Sequence, residues 1–335
     1  MKILIASDFH LGLSRKANFT AESSARREQV SRETLRQVLQ TEHDYAICVG
    51  DFFDKYSNPE NTILESVEFF REFDIVLKGN HDSSNRSDTN SSLDLLHGLV
   101  PSRDRSYGLV NTPGMRVWLV PHCPTQEMFL AQLDETQRLA RVAADRNPTH
   151  TQLLFLHCNY ACDFDLSTSS LNLPRERAAA LLETFHWIFL GHEHTPREDF
   201  NGRLVVVGSH YPTAFSDLND KRHLVLEVGN HGSLLSSVTH WRAGEHVYVG
   251  PGEDAPGGLD FYDLSGDVDP KLAVHLFKAG ALGVRVAGRD RVIGEADRPV
   301  LSLAGLPQQI ARELARNPEL LAIWESLQED EVAAG

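Results

Sequence analysis

No apolar run in this chain approaches the ~18 residues that a membrane-spanning helix needs, so no membrane-spanning helix is expected. A secretory leader is missing too. The opening Met1-Lys2-Ile3-Leu4-Ile5 imitates one, but the run stops at Asp8 and reads as a first strand. Cysteine is scarce, with four in 335 residues and none in C-x-x-C spacing. That leaves no thiol metal motif, and the cysteines read as reduced thiols of a cytoplasmic protein. Positive charge is also short: 32 Lys and Arg stand against 47 Asp and Glu, a net charge of −15. Such acidity opposes binding to nucleic acid, because Lys and Arg neutralising phosphates normally supply most of that affinity.

Histidine, by contrast, is plentiful, with 16 in the chain, and several fall in short polar motifs. These motifs are Asp8-Phe9-His10, Gly50-Asp51-Phe52-Phe53-Asp54, Gly79-Asn80-His81-Asp82, His157, and Gly191-His192-Glu193-His194. Each follows a short apolar run: Ile3-Leu4-Ile5-Ala6, Tyr45-Ala46-Ile47-Cys48-Val49, Ile75-Val76-Leu77, Leu153-Leu154-Phe155-Leu156 and Trp187-Ile188-Phe189-Leu190. Runs of this length, rich in β-branched and aromatic residues, read as strands buried on both faces. The motifs therefore sit at the carboxyl ends of strands, where open α/β sheets place their ligands. Helical periodicity lies between the strands at 21–42, after Pro59, at 125–146 and at 174–185, so the domain reads as α/β. Periodicity does not choose between one sheet and two stacked ones.

The residue types point to one chemistry. Carboxylate, imidazole and amide are the ligands of a pair of divalent ions about 3.5–4 Å apart, which clamp phosphate oxygens during hydrolysis. Asp51, after a strand and a glycine, is the best bridging candidate. Asp8 and His10 lie two apart on what reads as an extended exit, so they would point the same way and chelate one ion. His192 and His194 share that spacing and could present both imidazoles on one side. Asn80 offers a carbonyl oxygen, which leaves His81 for acid or electrostatic work. His122 ends another strand-like run and could face the same site. His43, His97, His150, His186, His223, His231, His240, His246 and His275 sit in no constellation and read as structural or surface residues.

At these residues the chain resembles the calcineurin-like metallophosphoesterases, over roughly residues 1–228. Within them it is most similar to the SbcD-type DNA nuclease subunit of double-strand-break repair, in a compact, phage-like form. The narrowing features are Ser7-Asp8-Phe9-His10-Leu11-Gly12, Gly79-Asn80-His81-Asp82-Ser83, Gly191-His192-Glu193-His194-Thr195-Pro196, and Gly208-Ser209-His210-Tyr211-Pro212-Thr213-Ala214-Phe215-Ser216. The resemblance implies two stacked mixed β-sheets flanked by helices, a four-layer sandwich, with a small α/β cap domain. It implies two divalent ions, with Mn2+ as the expected pair. Asp8, His10, Asp51 and His194 would hold one; Asp51, Asn80, His157 and His192 the other. His81 would stabilise the transition state and assist the leaving oxygen. Asp54 stands where some members have histidine, leaving its role open, and Cys158 is not read as a ligand. The implied partners are DNA and an SMC-like ATPase of the SbcC type, with a homodimer possible through nuclease-domain helices.

Residues 1–248 read as the nuclease domain. The Gly- and Pro-rich stretch 250–258 reads as a linker. A strand at 259–264, a helix from Asp269-Pro270 and a strand at 283–287 make a β-α-β unit that resembles the family's cap, assigned to 256–304. The tail, 305–335, holds two short amphipathic stretches broken at Asn317-Pro318. They read equally as a docking segment for the ATPase and as cover for the chain's own cap. The polar loop 83–94 should border the active site, and Arg15, Lys16, Arg26, Arg27 and Arg86 cluster near the motifs. They read equally as substrate contacts or as solvated surface. The competing functions are a metal-dependent DNA exonuclease or endonuclease, a small-molecule phosphodiesterase or phosphatase, and a non-catalytic scaffold.

Overall fold

The computed structural model describes residues 1–13, 20–83, 90–100, 108–112, 114–162, 171–229, 232–242, 246–250, 254–255, 257–265 and 270–286. Residues 1–292 form one compact unit and 293–335 a second, which lies outside the described residues. The tail, the end of the cap, the centre of the 83–94 loop, and Arg15, Lys16 and Arg86 therefore lie outside them too.

In chain order the elements are β1 (Lys2–Ala6), α1 (Ala21–Leu39), β2 (Tyr45–Cys48), α2 (Glu60–Glu72), β3 (Ile75–Val76), α3 (Ser92–Leu99), β4 (Gly108–Thr112), β5 (Met115–Val120), α4 (Gln126–Arg146), β6 (Thr151–His157), β7 (Asn159–Tyr160), β8 (Asn172–Leu173) and α5 (Arg175–Leu181). Then come β9 (Trp187–Gly191), β10 (Arg197–Asp199), β11 (Leu204–Val206), a 3-10 turn (Phe215–Asp217), β12 (Lys221–Gly229), β13 (Gly232–Trp241), β14 (His246–Val249), β15 (Phe261–Leu264), α6 (Pro270–Ala279) and β16 (Gly283–Val286).

Two mixed sheets dominate, ordered β13-β12-β1-β2-β3 and β10-β11-β9-β6-β5-β4. The strand alternation shows how they stack. Ile3 and Ile5 of β1, with Ile47 and Val49 at β2, pack in one cluster with Leu153 and Phe155 of β6 and Phe189 of β9. Their neighbours Leu4, Ala6, Ala46 and Cys48 face away, against α1, α2 and α3 through Leu35, Phe69 and Leu96. On the second sheet Leu154, Leu156 and Leu190 face α4 and α5 through Phe129, Leu133 and Leu181. The order of layers is thus helices, sheet, sheet, helices, a four-layer sandwich in which each central strand is buried on both sides. That is why these strands are continuously apolar: period-two alternation sends successive residues to two different cores. Each such side chain contributes about 1.5–3 kcal/mol by leaving water.

The helices follow their signals. Thr20 caps α1 by accepting from the Ser23 amide at 3.1 Å, and Ser91 caps α3 in the same way. One helix is shorter than its pattern: α5 ends at Leu181, although the periodicity runs to 185. The guanidinium of Arg203, on the other side of β9, takes the carbonyls of Leu182, Phe185 and His186 and so satisfies the chain beyond the last turn.

The small sheet, β14-β15-β16, is wholly parallel, with α6 between its last two strands. Its first strand begins at His246, two residues before the boundary drawn at 248. β14 and β15 pair in parallel, His246 with Phe261 through Val249 with Leu264, which requires a crossover between them. This sheet meets the rest of the molecule through Phe261 and Leu282, which pack on Tyr211 and Trp241.

Candidate metal centre

The parallel strands β1, β2 and β3 of one sheet and β6 and β9 of the other deliver the motifs to a common edge. The exits are not extended as the sequence reading expects. Asp8 (φ 54°), His10 (φ 47°), Asp51 (φ 48°) and His192 (φ 86°) all adopt left-handed backbone. A non-glycine residue there costs on the order of 1–3 kcal/mol, so surrounding structure must hold it. Part of that hold is a ladder between the first two motifs: Asp8 N to Gly50 O at 3.0 Å, His10 N to Asp51 O at 3.1 Å, Leu11 N to Phe52 O at 3.0 Å. Asp82 adds a second tie. Its carboxyl accepts from the amides of Phe52, Phe53 and Gly79, joining the second and third motifs. Burial and the nearby Asp51 charge push Asp82 up to about 7.

The strained exits bring the predicted residues together in three overlapping groups: Asp8, His10 and His194; His10, Asp51 and His81; Asp51, His157 and His192. His192 and His194 therefore part company, contrary to the expectation drawn from their spacing. The His192 Nδ1 lies 2.8 Å from Asn80 Oδ1, whereas His194 Nε2 lies 3.1 Å from His10 Nε2. Asp51 is central, with Oδ2 3.4 Å from His157 Nε2 and 3.8 Å from His10 Nε2. Its other oxygen accepts from the His81 amide at 2.9 Å.

Hydrogen bonds to acceptors fix which imidazole nitrogen turns to the cluster. His157 Nδ1 donates to the Val49 carbonyl at 2.8 Å, so Nε2 is the nitrogen that faces Asn80 Oδ1 at 3.0 Å. His194 Nδ1 donates to the Asp217 carboxylate at 3.1 Å, which leaves its Nε2 bare toward His10. The His10 Nδ1 faces Asp54 Oδ1 at 3.3 Å, which gives Asp54 a place beside that ligand candidate. Ring nitrogens, the Asn80 carbonyl oxygen and the Asp8 and Asp51 carboxylates thus crowd together at 2.8–3.9 Å. A cation resolves that arrangement, and oxygen with imidazole nitrogen is the donor set of Mn, Fe or Zn. The residues fit a divalent pair.

The electrostatics agree. Burial raises Asp51, but the charges of His157, His10 and His81 outweigh it and hold the carboxyl well below the usual range. Burial lowers His157, but Asp51 and Asp8 outweigh it and lift the imidazole to about 9, so the carboxylates draw positive charge to this point. His192 is pushed down to about 4 by burial and the His157 charge, and stays neutral.

His81, from a third motif, joins His10 and Asp51 in one of these groups. Its Nδ1 donates to the Asp54 carbonyl at 2.6 Å, leaving Nε2 uncommitted, and its ring sits 4.7 Å from that of His10. His122 lies close enough for His157, Asp51, His192 and His81 to act on it, and burial with the His157 charge depresses it to about 4. Cys158 packs into the core under the second sheet and turns away from the cluster. Arg27 is buried and donates to the carbonyls of Pro212 and Thr213 at 2.9 and 2.7 Å, so it props up a loop. Glycine has a steric role at two exits. A Cβ on Gly50 would lie 2.2 Å from His157 Nδ1, and one on Gly79 2.1 Å from Asp51 Oδ1.

Sequence reasoning missed Asp217, Thr213 and Lys221. Thr213 Oγ1 lies 3.0 Å from His194 Nδ1, and buried Lys221 pairs with Asp217. The Gly208–Ser216 block pointed to this region, but nothing in the sequence ties Asp217, one residue beyond it, to His194.

Among solved structures the chain is similar to a Staphylococcus aureus protein assigned as a 5'-nucleotidase and solved with alpha-ketoglutarate, at 16% identity and TM-score 0.40. That match covers 71% of this chain but only 52% of the other. It is also similar to the calcineurin-like phosphoesterase YfkN of Bacillus subtilis, at 13% identity and TM-score 0.37, covering 72% and 90% of the two chains. A third is Vps29 of Entamoeba histolytica complexed with zinc, at 12% identity and TM-score 0.32, covering 72% and 99%. No curated protein sequence matches the chain. The family model for calcineurin-like phosphoesterases matches residues 1–196, more than half of the sequence and all the candidate metal ligands, and the chain belongs to that family.

Proposed function

We propose that this chain is a two-metal phosphodiesterase acting on DNA, the nuclease subunit of a repair complex of the SbcC–SbcD kind. The observation that carries the hydrolytic part is the convergence of Asp8, His10, Asp51, His157, His192 and His194 in overlapping groups, with Asn80 Oδ1 beside His157 and His192. In this reading Asp8, His10, Asp51 and His194 hold one ion and Asp51, Asn80, His157 and His192 the other, with Asp51 between them. When bound, such a pair supplies Lewis-acid polarisation of the phosphoryl group and of water. His157 and His194 are oriented through Val49 O and Asp217, so their Nε2 atoms stay aimed inward. His81 holds a proton at Nδ1 against the Asp54 carbonyl. As an imidazolium it would carry a second proton at Nε2, which could stabilise charge on the phosphoryl oxygens and pass to the leaving oxygen.

DNA as the substrate is supported by the Gly208–Ser216 block. Its Thr213 touches His194, and its Tyr211 and Phe215 pack toward the small sheet. A segment joining the reaction centre to an added α/β unit suits a large substrate better than a small ester.

The test is turnover in Mn2+ of a linear duplex, a hairpin, a single strand and a chromogenic bis-phosphodiester, with His81→Ala alongside. Cleavage of DNA is expected, reduced about 100- to 10,000-fold in the variant while both ions stay bound. Turnover of the small ester alone would refute the nuclease reading. Inactivity on every substrate, even with an SbcC-type ATPase, would favour a scaffold.

A further inference from the structure

His194 is the most exposed of the candidate ligands it clusters with, its side chain 23% accessible against 0% for Asp8 and 1% for His10. It rides on the loop after β9, in the second sheet, yet must register with Asp8 and His10 on the first. Something outside its own loop has to hold it.

We infer that Asp217 and Lys221 form a clamp that positions His194, fixing both its backbone and its imidazole; this rests on the metal-site reading above. Asp217 Oδ2 accepts from His194 Nδ1 at 3.1 Å, and the same oxygen accepts from the Thr213 amide at 2.9 Å and from the hydroxyls of Thr213 and Ser209 at 3.2 and 3.3 Å. The Thr213 hydroxyl, its proton spent on Asp217, can only accept from His194 at 3.0 Å. Both neighbours of Nδ1 are therefore acceptors, and the proton must sit there. Nε2 is left as a lone pair toward His10 and Asp8.

Lys221 completes the hold. Its ammonium is fully buried and its three protons are matched by Asp217 Oδ1, the His194 carbonyl at 3.1 Å and Asn219 Oδ1 at 3.1 Å. One cation thus grips the ligand's main chain and the carboxylate that orients its ring. Lys221 opens β12, which pairs with β1, the strand whose exit carries Asp8 and His10. The clamp transfers the register of the first sheet to a loop of the second. A buried ion pair adds little net stability compared with apolar residues of the same volume, so folding alone does not account for this one.

The tests use the full chain. In metal-free protein labelled with 15N-histidine, NMR of the imidazole nitrogens should report a protonated Nδ1 and a bare Nε2 for His194. Asp217→Asn should mix the tautomers. In calorimetric Mn2+ titrations Asp217→Asn should weaken one of two binding events by roughly 10- to 100-fold. The event affected should be the one that His194→Ala abolishes, with the other unchanged. Lys221→Met should weaken the same event. Unchanged tautomer and affinities in Asp217→Asn, or equal weakening of both events, would overturn the clamp. If Asp217→Asn does not fold, Asp217→Glu decides: selective loss supports the clamp and wild-type titration overturns it. A wild-type chain that binds no metal would refute the metal-site reading instead, and the tautomer measurement would still judge the clamp.

Discussion

At the residue scale, the site depends on backbone being where a side chain would otherwise stand. Gly50 has φ +101°, and a Cβ there would overlap the His157 ring. Gly50→Ala is expected to lose about 1–3 kcal/mol from backbone strain alone and to displace His157 from Asp51. Urea denaturation reads the first effect and metal stoichiometry the second; wild-type values in both would show that the ring has room to move. The candidate ligands themselves were legible, because each lies within a few residues of a strand end and motif order brings them together. The residues that orient them were not. His157 is set by the Val49 carbonyl, His81 by the Asp54 carbonyl and His194 by Asp217, across sequence separations of 108, 27 and 23. A carbonyl carries no side-chain signature, and Asp217 looks like any acid in a loop.

At the element scale, β12, β13 and the end of α1 are joined by two histidines that the sequence marks only as structural or surface. Thr41 Oγ1 lies 2.9 Å from His223 Nε2, the two Nδ1 atoms of His223 and His240 are 3.2 Å apart, and His240 Nε2 donates to the His210 carbonyl at 2.5 Å. The carbonyl end fixes the neutral chain: His240 must accept at Nδ1, so His223 donates there and accepts from Thr41. Burial, then the His240 charge, pushes His223 down to about 4. With its folded pKa below the unfolded value of about 6.5, the unfolded chain takes up the proton first. Stability from this group is complete above about pH 6.5 and is lost as pH falls toward 4. One group changes stability by at most about 1.4 kcal/mol per pH unit. Thermal unfolding between pH 7 and 4.5 should therefore show a shallower decline in His223→Phe than in the wild type. An unchanged slope would mean that the pair is not what titrates.

For the whole molecule, acidity and proposed substrate pull in opposite directions. A net charge of −15 leaves no electrostatic reservoir for DNA, and Arg27, one of the few basic residues near the motifs, is spent on the carbonyls of Pro212 and Thr213. If DNA is the substrate, attraction must come from bound cations or from a basic partner. The isolated chain should bind duplex weakly in Mn2+ and lose that binding in EDTA. Fluorescence anisotropy checks this, and tight, salt-insensitive binding without metal would contradict it. No helix among the described residues is long and apolar enough to cross a membrane.

The sequence alone determined the candidate ligands and the α/β character of the part that carries them. Short apolar runs followed by carboxylate and imidazole motifs admit few arrangements other than buried parallel strands that deliver ligands at one edge. Tertiary structure decided what local pattern cannot encode: that Asp8 and His10 leave their strand in left-handed backbone, that His192 and His194 fall in different residue groups, and that β14 belongs with the small sheet. The physical reason is the same in each case. Those outcomes are set by hydrogen bonds and packing between segments far apart in the chain, such as Asp8 on Gly50, His192 on Asn80, and Lys221 on Asp217 and His194.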